Sequence, residues 1–178
     1  MGEILAVTVG TRVDYSADLT AQATPQPRLS LNFTPAQLPQ LRLAYGRYLQ
    51  TPQPPQFFDP GGNPELEESL ADHYILELER EFENGTVIKL AGYRKQLDKQ
   101  IEPDPEEDPL KNKNYLNIGE GYAQGAEFLL QHRQGDKFFG WLSYARSVSK
   151  RRDAPDQAYR FYSYDQTHIA TVTASYKF

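Results

Sequence analysis

Apolar and polar side chains alternate most regularly between Tyr115 and Arg133. From Tyr122 onward one side of the chain carries Tyr122, Ala126, Phe128 and Leu130, and the other carries Ala123, Gly125, Glu127 and Gln131. A period of two residues predicts a β-strand with one apolar and one polar face. Gly125 interrupts this strand, and glycine inside a strand usually marks a bend or a neighbour that packs close to the backbone.

The same alternation recurs in seven further segments, and no segment shows a helical period. These predicted strands are Leu5–Tyr15, Arg28–Phe33, Leu41–Tyr45, Tyr74–Phe82, Ile88–Leu97, Phe138–Ser147 and Ile169–Phe178. In the fifth strand the apolar positions change parity, because Leu90 is even-numbered whereas Tyr93 and Leu97 are odd-numbered. Such a change of phase predicts a β-bulge near Gly92.

Long loops and short turns alternate between the predicted strands. The loops, rich in Pro, Gly or polar and charged residues, cover Ser16–Gln26, Thr51–Ala71, Glu102–Lys113 and Ser149–Asp165. The turns are Pro35–Pro39, Asn84-Gly85 and Gly135-Asp136, and Asn-Gly is the strongest short hairpin signal. This order predicts an all-β, antiparallel up-and-down meander of about eight strands, with residues 1–178 forming a single unit. Eight is the smallest number of strands that commonly closes into a barrel.

Alternation alone leaves open whether the apolar face points into a dry core or outward to lipid. Long loops at one end and short turns at the other are typical of outer-membrane barrels. The polar faces carry charges at or near mid-strand, namely Arg12, Asp14, Arg28, Arg42, Glu77, Glu79, Glu127 and Lys177. A soluble barrel also accommodates such charges on its outside, so they do not decide the question.

The last strand ends on an aromatic residue. Tyr176 and Phe178 close the apolar face of a strand that alternates from Ile169 onward. This ending resembles the signal by which bacterial outer-membrane proteins are recognised by the barrel-assembly machinery. Thr173 stands where that signal usually has glycine. The resemblance favours an apolar face that points outward.

The composition is compatible with a membrane barrel. Only 39% of the residues are hydrophobic, and no segment approaches the roughly 18 consecutive apolar residues of a membrane helix. Barrel strands need only about 9–11 residues, half of them polar, so low hydropathy does not exclude a membrane. The chain has no cysteine for disulfides or thiol chemistry, and its net charge of −5 argues against nucleic acid as a partner. Met1 leads into a strand pattern without a signal peptide, so we expect a mature form or a fragment if the protein is exported.

Five segments in order resemble the C-terminal part of the barrel of TonB-dependent outer-membrane receptors. They are Leu41–Pro52 (LRLAYGRYLQTP), Gly62–Glu79, Asn117–Leu130 (NIGEGYAQGAEFLL), Gly140–Ser147 and Tyr164–Phe178. In that family a barrel of about 22 strands surrounds an N-terminal plug domain. The resemblance implies that the chain is the last eight strands of such a barrel in the bacterial outer membrane. It then lacks the plug and the N-terminal part through which these receptors contact TonB.

The resemblance implies transport without enzymatic activity or a cofactor, namely uptake of a scarce nutrient such as an iron-siderophore, cobalamin or a sugar. Such receptors hold their ligand with plug apices and extracellular loops. Aromatic loop residues are candidate ligand contacts and equally candidate members of an interfacial girdle: Phe57, Phe58, Tyr159, Phe161 and Tyr162. The basic run Lys150, Arg151 and Arg152 is a candidate contact for lipopolysaccharide phosphates, so lipid and lipopolysaccharide are expected partners.

The sequence contains no recognisable catalytic or metal-binding pattern. His73, His132 and His168 lie on different predicted strands without HxH or HExxH spacing, and no serine has a G-x-S-x-G setting. Two other interpretations stay open. One is a stand-alone eight-stranded barrel that binds a small apolar ligand or has a structural role. The other is an outer-membrane enzyme, which requires a Ser/His/acid cluster.

Overall fold

A computed structural model describes residues 4–15, 23–106, 114–135 and 137–178, which form one sheet with a short helix. The eight long strands are β1 (Ile4–Tyr15), β2 (Ala23–Thr34), β3 (Gln40–Gln50), β4 (Ser69–Glu81), β5 (Thr86–Pro103), β6 (Tyr115–Gln134), β7 (Phe138–Arg152) and β9 (His168–Tyr176). A two-residue strand β8 (Arg160–Phe161) lies between β7 and β9, and the helix α1 (Pro54–Phe58) lies between β3 and β4. Within the described ranges, no helix is both long and apolar enough to cross a membrane.

Neighbouring strands pair antiparallel in chain order, which confirms the predicted all-β meander. The order runs from β1 to β7, and both β8 and β9 pair with β7. All eight predicted strands are present, whereas β8 is too short to show a period in the sequence. No ladder joins β1 to β9 among the residues that the structure describes, so the sheet is open at both edges.

The bulge predicted near Gly92 is wrong. The register runs without a break through Gly92, which lies opposite Leu76 of β4 and Ala126 of β6. Tyr93 does not change phase: it occupies the polar face, where its ring packs against the backbone of Gly125. In the sequence, Tyr93 on the polar face therefore looks like a change in the phase of the apolar pattern. Gly125 has no side chain and leaves the space that the Tyr93 ring occupies.

The true irregularity of β5 lies farther along the strand. The register with β6 shifts between Leu97 and Glu102, and Lys99 has a positive φ of 54° there. The carbonyl oxygen of Lys99 accepts hydrogen bonds from Ser69 Oγ (3.0 Å) and Asn117 Nδ2 (3.0 Å). Side chains thus satisfy a carbonyl group of the shifted segment.

The loop predicted over Ser16–Gln26 is wrong at its C-terminal end, because β2 already begins at Ala23. Residues 16–22 lie outside the described residues. Pro25 and Pro27 belong to a part of β2 that pairs only with β1, and pairing with β3 starts after them. Proline is tolerated at such an edge because no neighbouring strand there needs its missing amide hydrogen.

A short helix, α1, lies within the long loop predicted between the third and fourth strands. The backbone N–H of Gln53 donates to Gln56 Oε1 (2.9 Å), and Pro54 occupies the first helical position, where proline is favoured. A helix of five residues is too short for its period to be recognised in the sequence.

The pairing register places the apolar side chains of the long strands on one face of the sheet. One line of directly paired residues crosses all eight strands: Leu5, Phe33, Leu41, Leu78, Leu90, Phe128, Tyr144 and Ala170. This apolar face is exposed; 77% of Val9 and 73% of Val172 are accessible. Among the described residues, the buried hydrophobic side chains are Leu66 and Ala154, both in loops, so the strands enclose no dry core.

The opposite face is polar and carries its charges in pairs near the turn end. Arg42 lies directly opposite Glu77, and Lys89 Nζ approaches Glu77 Oε1 (2.9 Å) and Glu79 Oε2 (3.7 Å). We call the two sides of the sheet the apolar face and the polar face.

The hairpin predicted at Asn84-Gly85 joins β4 and β5. Gly85 has a φ of +76°, and its N–H donates to the Phe82 carbonyl (3.0 Å). The Thr86 N–H donates to Asn84 Oδ1 (3.1 Å). A Cβ atom on Gly85 would clash with the backbone oxygen of Arg133, so only glycine fits this turn.

We predict that Gly85→Ala destabilises the fold by about 1–3 kcal/mol, because alanine must adopt a strained positive φ and displace the neighbouring strand. Urea titration followed by heat-modifiable gel mobility measures the effect. Gly10→Ala is the matched control, since nothing lies within 4 Å of the added methyl group. Equal stability of the two variants would contradict the role of Gly85.

Candidate functional site

Aromatic residues border the apolar face at both ends of the strands. The turn end carries Phe82, Phe138 and Tyr176, and the loop end carries Tyr45, Tyr74 and Tyr122. We call the second group the tyrosine row. Tyr45 and Tyr74 lie on paired strands with ring centroids 5.2 Å apart. Two aromatic girdles around an apolar band are a feature of transmembrane barrels.

An ion pair lies beside the tyrosine row on the apolar face. Arg47 donates to Asp72 through Nε (2.9 Å) and Nη2 (2.8 Å), and the Tyr45 hydroxyl donates to the same carboxylate (2.9 Å). A bidentate guanidinium–carboxylate pair is geometrically specific. Arg47 is therefore occupied within the protein.

Three other cations on this face lack a carboxylate partner, and we call Arg94, Arg146 and Lys150 the outer cations. Arg94 donates to Gln96 Oε1 (3.3 Å) and lies over the Tyr122 ring at 5.6 Å. Arg146 is exposed. In the described part of the chain, none of the three forms an ion pair. Arg94 lies directly opposite Tyr74, Lys150 lies directly opposite Tyr122, and Arg146 follows Tyr144 by two residues on the same face.

Successive residues of the basic run Lys150, Arg151 and Arg152 lie on opposite faces of β7. The register places Lys150 opposite Tyr122 and Arg151 opposite Gly121. Lys150 and Arg152 therefore lie on the apolar face, whereas Arg151 lies on the polar face, because side chains alternate along a strand. The three cations do not form a single patch.

The structure brings the basic run into contact with three of the predicted aromatic loop residues. Each cation lies over one ring: Lys150 over Phe161 (4.8 Å), Arg151 over Tyr162 (3.9 Å) and Arg152 over Tyr159 (5.0 Å). Cation–π contacts of this kind contribute roughly 0.5–2 kcal/mol each. The two groups that the sequence assigned to different roles thus contact each other in three cation–ring pairs at the loop end of β7, two on the apolar face and one on the polar face.

Arg152 is also held by an acidic residue of β6. Its Nη2 and Nε donate to Glu120 Oε2 (2.6 and 3.1 Å), and Nη1 donates to the Pro155 carbonyl (2.7 Å). The Tyr159 hydroxyl donates to the same carboxylate oxygen (3.3 Å). This network fixes the loop after β7 against β6, and it leaves Arg152 little freedom to bind another anion.

Phe57 and Phe58 lie apart from that cluster, in α1. Their rings meet edge to face with centroids 5.1 Å apart, and 60% of Phe58 is exposed. The five aromatic candidates therefore form two groups, one in the loop between β3 and β4 and one in the loop between β7 and β9.

The loop that follows α1 is fastened to the start of β6 by two asparagines. Asn117 Oδ1 accepts from the Glu67 N–H (2.8 Å), and its Nδ2 donates to the Glu67 carbonyl (2.9 Å). Asn63 Nδ2 donates to the Tyr115 carbonyl (2.8 Å). Asn117 pairs with the loop backbone as a neighbouring strand would, so this long loop has a fixed position.

Several residues of this region were not predicted from the sequence, among them Arg47, Arg94, Asn117, Glu120 and Arg146. Each lies on a strand beyond the clear apolar alternation. Continuing the period of two past the last apolar residue would have assigned Arg94 and Arg146 to the apolar face. No local signal predicts the partners of Asn117 or Glu120, because these contacts join distant segments.

The three histidines contact different residues. His73 packs against Tyr48 (4.6 Å between centroids), His132 Nδ1 lies 2.9 Å from Thr86 Oγ1, and His168 Nδ1 lies 2.7 Å from the Tyr144 hydroxyl. Among the described residues, no group of three or more His, Asp or Glu side chains is placed to hold a metal ion.

Glu68 is the buried carboxyl group of this region, with 8% of the residue exposed just before β4. Burial raises the pKa of its carboxyl above the usual range; a hydrogen bond with the Thr24 side chain lowers this pKa, and the Asp14 carboxylate raises it. Ionisation of Glu68 therefore costs more free energy in the folded protein than in the unfolded chain.

Folding raises the pKa of the Glu68 carboxyl. The free-energy cost of ionising it in the folded protein is therefore absent at low pH and develops as the pH rises through the pKa of the folded state. We predict that Glu68→Gln stabilises the protein at about pH 7.5 and has no effect at about pH 4, where the carboxyl of the unfolded chain is also largely protonated. Thermal unfolding in detergent at both pH values measures this difference. Glu65→Gln, four residues from the start of β4, is the control; an equal gain would contradict the assignment.

Comparison with known proteins agrees with this geometry. A family model described as "TonB dependent receptor-like, beta-barrel" matches residues 3–178, and none of the curated proteins matches the chain. The match spans nearly the whole chain and confirms the resemblance that its five segments indicate. The chain therefore belongs to the β-barrel family of the TonB-dependent receptors, which are outer-membrane transporters.

Proposed function

We propose that this chain is part of the barrel wall of an outer-membrane receptor that imports a scarce nutrient, such as an iron-siderophore, cobalamin or a sugar, with energy delivered through TonB. The observation that carries the proposal is the two-faced sheet, with an exposed apolar band on one side and charged residues on the other. Together with the family match, it supports a wall between lipid and a wet interior.

The exposed apolar face supports a lipid environment energetically. Covering apolar surface contributes roughly 25 cal/mol per Å², and soluble monomers seldom leave a large contiguous apolar patch in water. Here the patch crosses all eight long strands, and its height is bounded by the two aromatic girdles. Lipid acyl chains match a band of this kind.

The last strand supports assembly by the barrel-assembly machinery. Tyr176 and Phe178 meet edge to face with centroids 5.4 Å apart, and Phe178 is fully exposed. An exposed terminal aromatic pair on an open edge strand is available to a receptor that binds extended segments.

The exposed aromatic residues of α1 support a ligand-binding role for the loop end. Phe57 and Phe58 are carried by a loop whose backbone is fastened by Asn63 and Asn117, so their rings are presented on a fixed support. Tyr159, Phe161 and Tyr162 instead contact the basic run and serve first to order that loop. We therefore propose Phe57 and Phe58 as the primary ligand contacts.

The proposal predicts that a strain lacking the gene loses uptake of one nutrient class, and that inactivation of TonB has the same effect. Uptake of labelled iron-siderophores, cobalamin and oligosaccharides tests this.

Phe57→Ala with Phe58→Ala should raise the KM for the same nutrient several-fold at unchanged protein level. Phe82→Ala at the turn end is the control. Uptake that does not depend on TonB would contradict the proposal.

We further propose that the outer cations contact lipopolysaccharide phosphates. Arg94, Arg146 and Lys150 lie beside the tyrosine row on the apolar face, at the level where phosphorylated headgroups would meet the barrel. Arg151 faces the other side of the sheet and Arg152 is paired with Glu120, so Lys150 is the member of the basic run that fits this role.

Replacing Arg94, Arg146 and Lys150 by Gln should reduce the lipopolysaccharide that copurifies with the protein several-fold, because three unpaired cations are lost. Phosphate analysis of the purified protein measures it. The control is Arg80→Gln with Lys137→Gln, two exposed cations at the turn end. Equal retention in both variants would exclude the outer cations as the contact.

A further inference from the structure

The polar face changes its charge from the turn end to the loop end. Two successive registers near the turn end contain three carboxylates, Glu77, Glu79 and Glu127, and two cations, Arg42 and Lys89. Near the loop end, we consider two neighbouring rows of residues that face one another across the strands. One row contains the cations Arg28 and Lys95, and the next row contains Arg12 and Arg151. No carboxylate stands in these two rows among the described residues. We call these four residues the inner basic belt.

The inner basic belt is only partly neutralised by the protein. Arg12 pairs with Asp14 (2.8 Å), which stands one register nearer the loops. Among the described residues the other three cations form no ion pair, although Arg28 interacts electrostatically with Asp14 and Arg151 with Glu102. Each lies over an aromatic ring: Arg28 over Tyr48 (4.9 Å), Lys95 over Tyr93 (5.9 Å) and Arg151 over Tyr162 (3.9 Å). A ring orients a cation but does not cancel its charge.

Arg151 retains an unused donor. Its Nε is buried and has no hydrogen-bond partner, although an unsatisfied buried donor normally costs about 1–3 kcal/mol. The Cγ atom of Arg151 packs against Gly121, where a side chain would crowd it. The guanidinium is thus held in position on the polar face by the Tyr162 ring and by close packing against Gly121.

The cations near the turn end differ in this respect. Lys89 contacts both Glu77 and Glu79, and Arg42 lies opposite Glu77. Their charge is neutralised locally by carboxylates. The contrast between the two halves indicates that the loop end of the polar face, and not the face as a whole, attracts anions.

We propose that the inner basic belt binds a small ligand that carries two or more carboxylate or phosphate groups. This inference rests on the proposed transport function and names the chemical class of the ligand. Arg28 and Lys95 lie three strands apart, so their backbones are about 14 Å apart at roughly 4.8 Å per strand, and their two long side chains can reach separate anionic groups of one ligand. Guanidinium groups bind carboxylate and phosphate oxygens in a bidentate manner.

The rings between the cations fit the same class of ligand. Tyr48 and His73 pack together between Arg28 and Lys95, and Tyr93 lies one register below Lys95. They offer flat surfaces on which planar carboxylate-bearing or aromatic parts of a ligand can lie. A wall lined by one sign of charge also raises the local concentration of oppositely charged ligands.

The test measures binding of citrate and of inorganic pyrophosphate to the protein purified in non-ionic detergent. Replacing Arg28, Lys95 and Arg151 by Gln should weaken binding of these anions by about tenfold or more and reduce its salt dependence. The matched variant replaces Arg80, Arg133 and Lys137, three exposed cations at the turn end, by Gln. It removes the same number of positive charges at the other end of the strands, and it should bind citrate and pyrophosphate as the unmodified protein does.

Heat-modifiable gel mobility establishes that each variant is folded. If the triple variant does not fold, Arg28→Lys and Lys95→Gln separately resolve the question: the first keeps its charge and should bind nearly normally, and the second should bind more weakly. Equal losses in the inner and turn-end triple variants, or no binding of either anion to the unmodified protein, would overturn the proposal. A receptor for a neutral nutrient would pass the TonB-dependent uptake test and fail this one, so the two failures are distinguishable.

Discussion

The structure depends first on the unbroken register of backbone hydrogen bonds from β1 to β9. Side chains alternate with a period of two, so a slip of one residue would move a whole strand's apolar side chains to the other face. The line from Leu5 to Ala170 crosses eight strands without such a slip. The shift of register in β5 is placed beyond Leu97, outside the apolar band, where it does not disturb that line.

Because the register is maintained, each face has one chemical character and a gradient along its height. The apolar face passes from one aromatic girdle through aliphatic residues to the tyrosine row, where Arg94 and Lys150 lie directly opposite Tyr74 and Tyr122. The polar face passes from locally paired charges to a basic belt beneath the long loops. The sheet separates the charged side chains of the two faces. Arg94 and Lys95 are adjacent in sequence, yet Arg94 lies on the apolar face and Lys95 on the polar face.

The long loops are attached to this frame by polar side chains, and each of two loops also buries one small or aliphatic residue, Leu66 or Ala154. Asn117 pairs with the backbone near Glu67, and Glu120 holds Arg152 and Tyr159. Such contacts fix the position of a loop while leaving aromatic rings such as Phe58 exposed. A receptor wall needs this combination, since its loops must be ordered and accessible together.

The sequence by itself determined the eight strands, their antiparallel order, the hairpin at Gly85 and the family, because all of these are encoded in local alternation, turn residues and short segments. It did not determine which residues meet across strands. The bulge was misplaced because Tyr93 breaks the apolar pattern locally, whereas only pairing with Gly125 reveals its face. The run from Lys150 to Arg152 likewise looks like one basic patch in the sequence. Only the sheet divides it, because a strand sends neighbouring side chains to opposite sides and tertiary pairing decides what lies there.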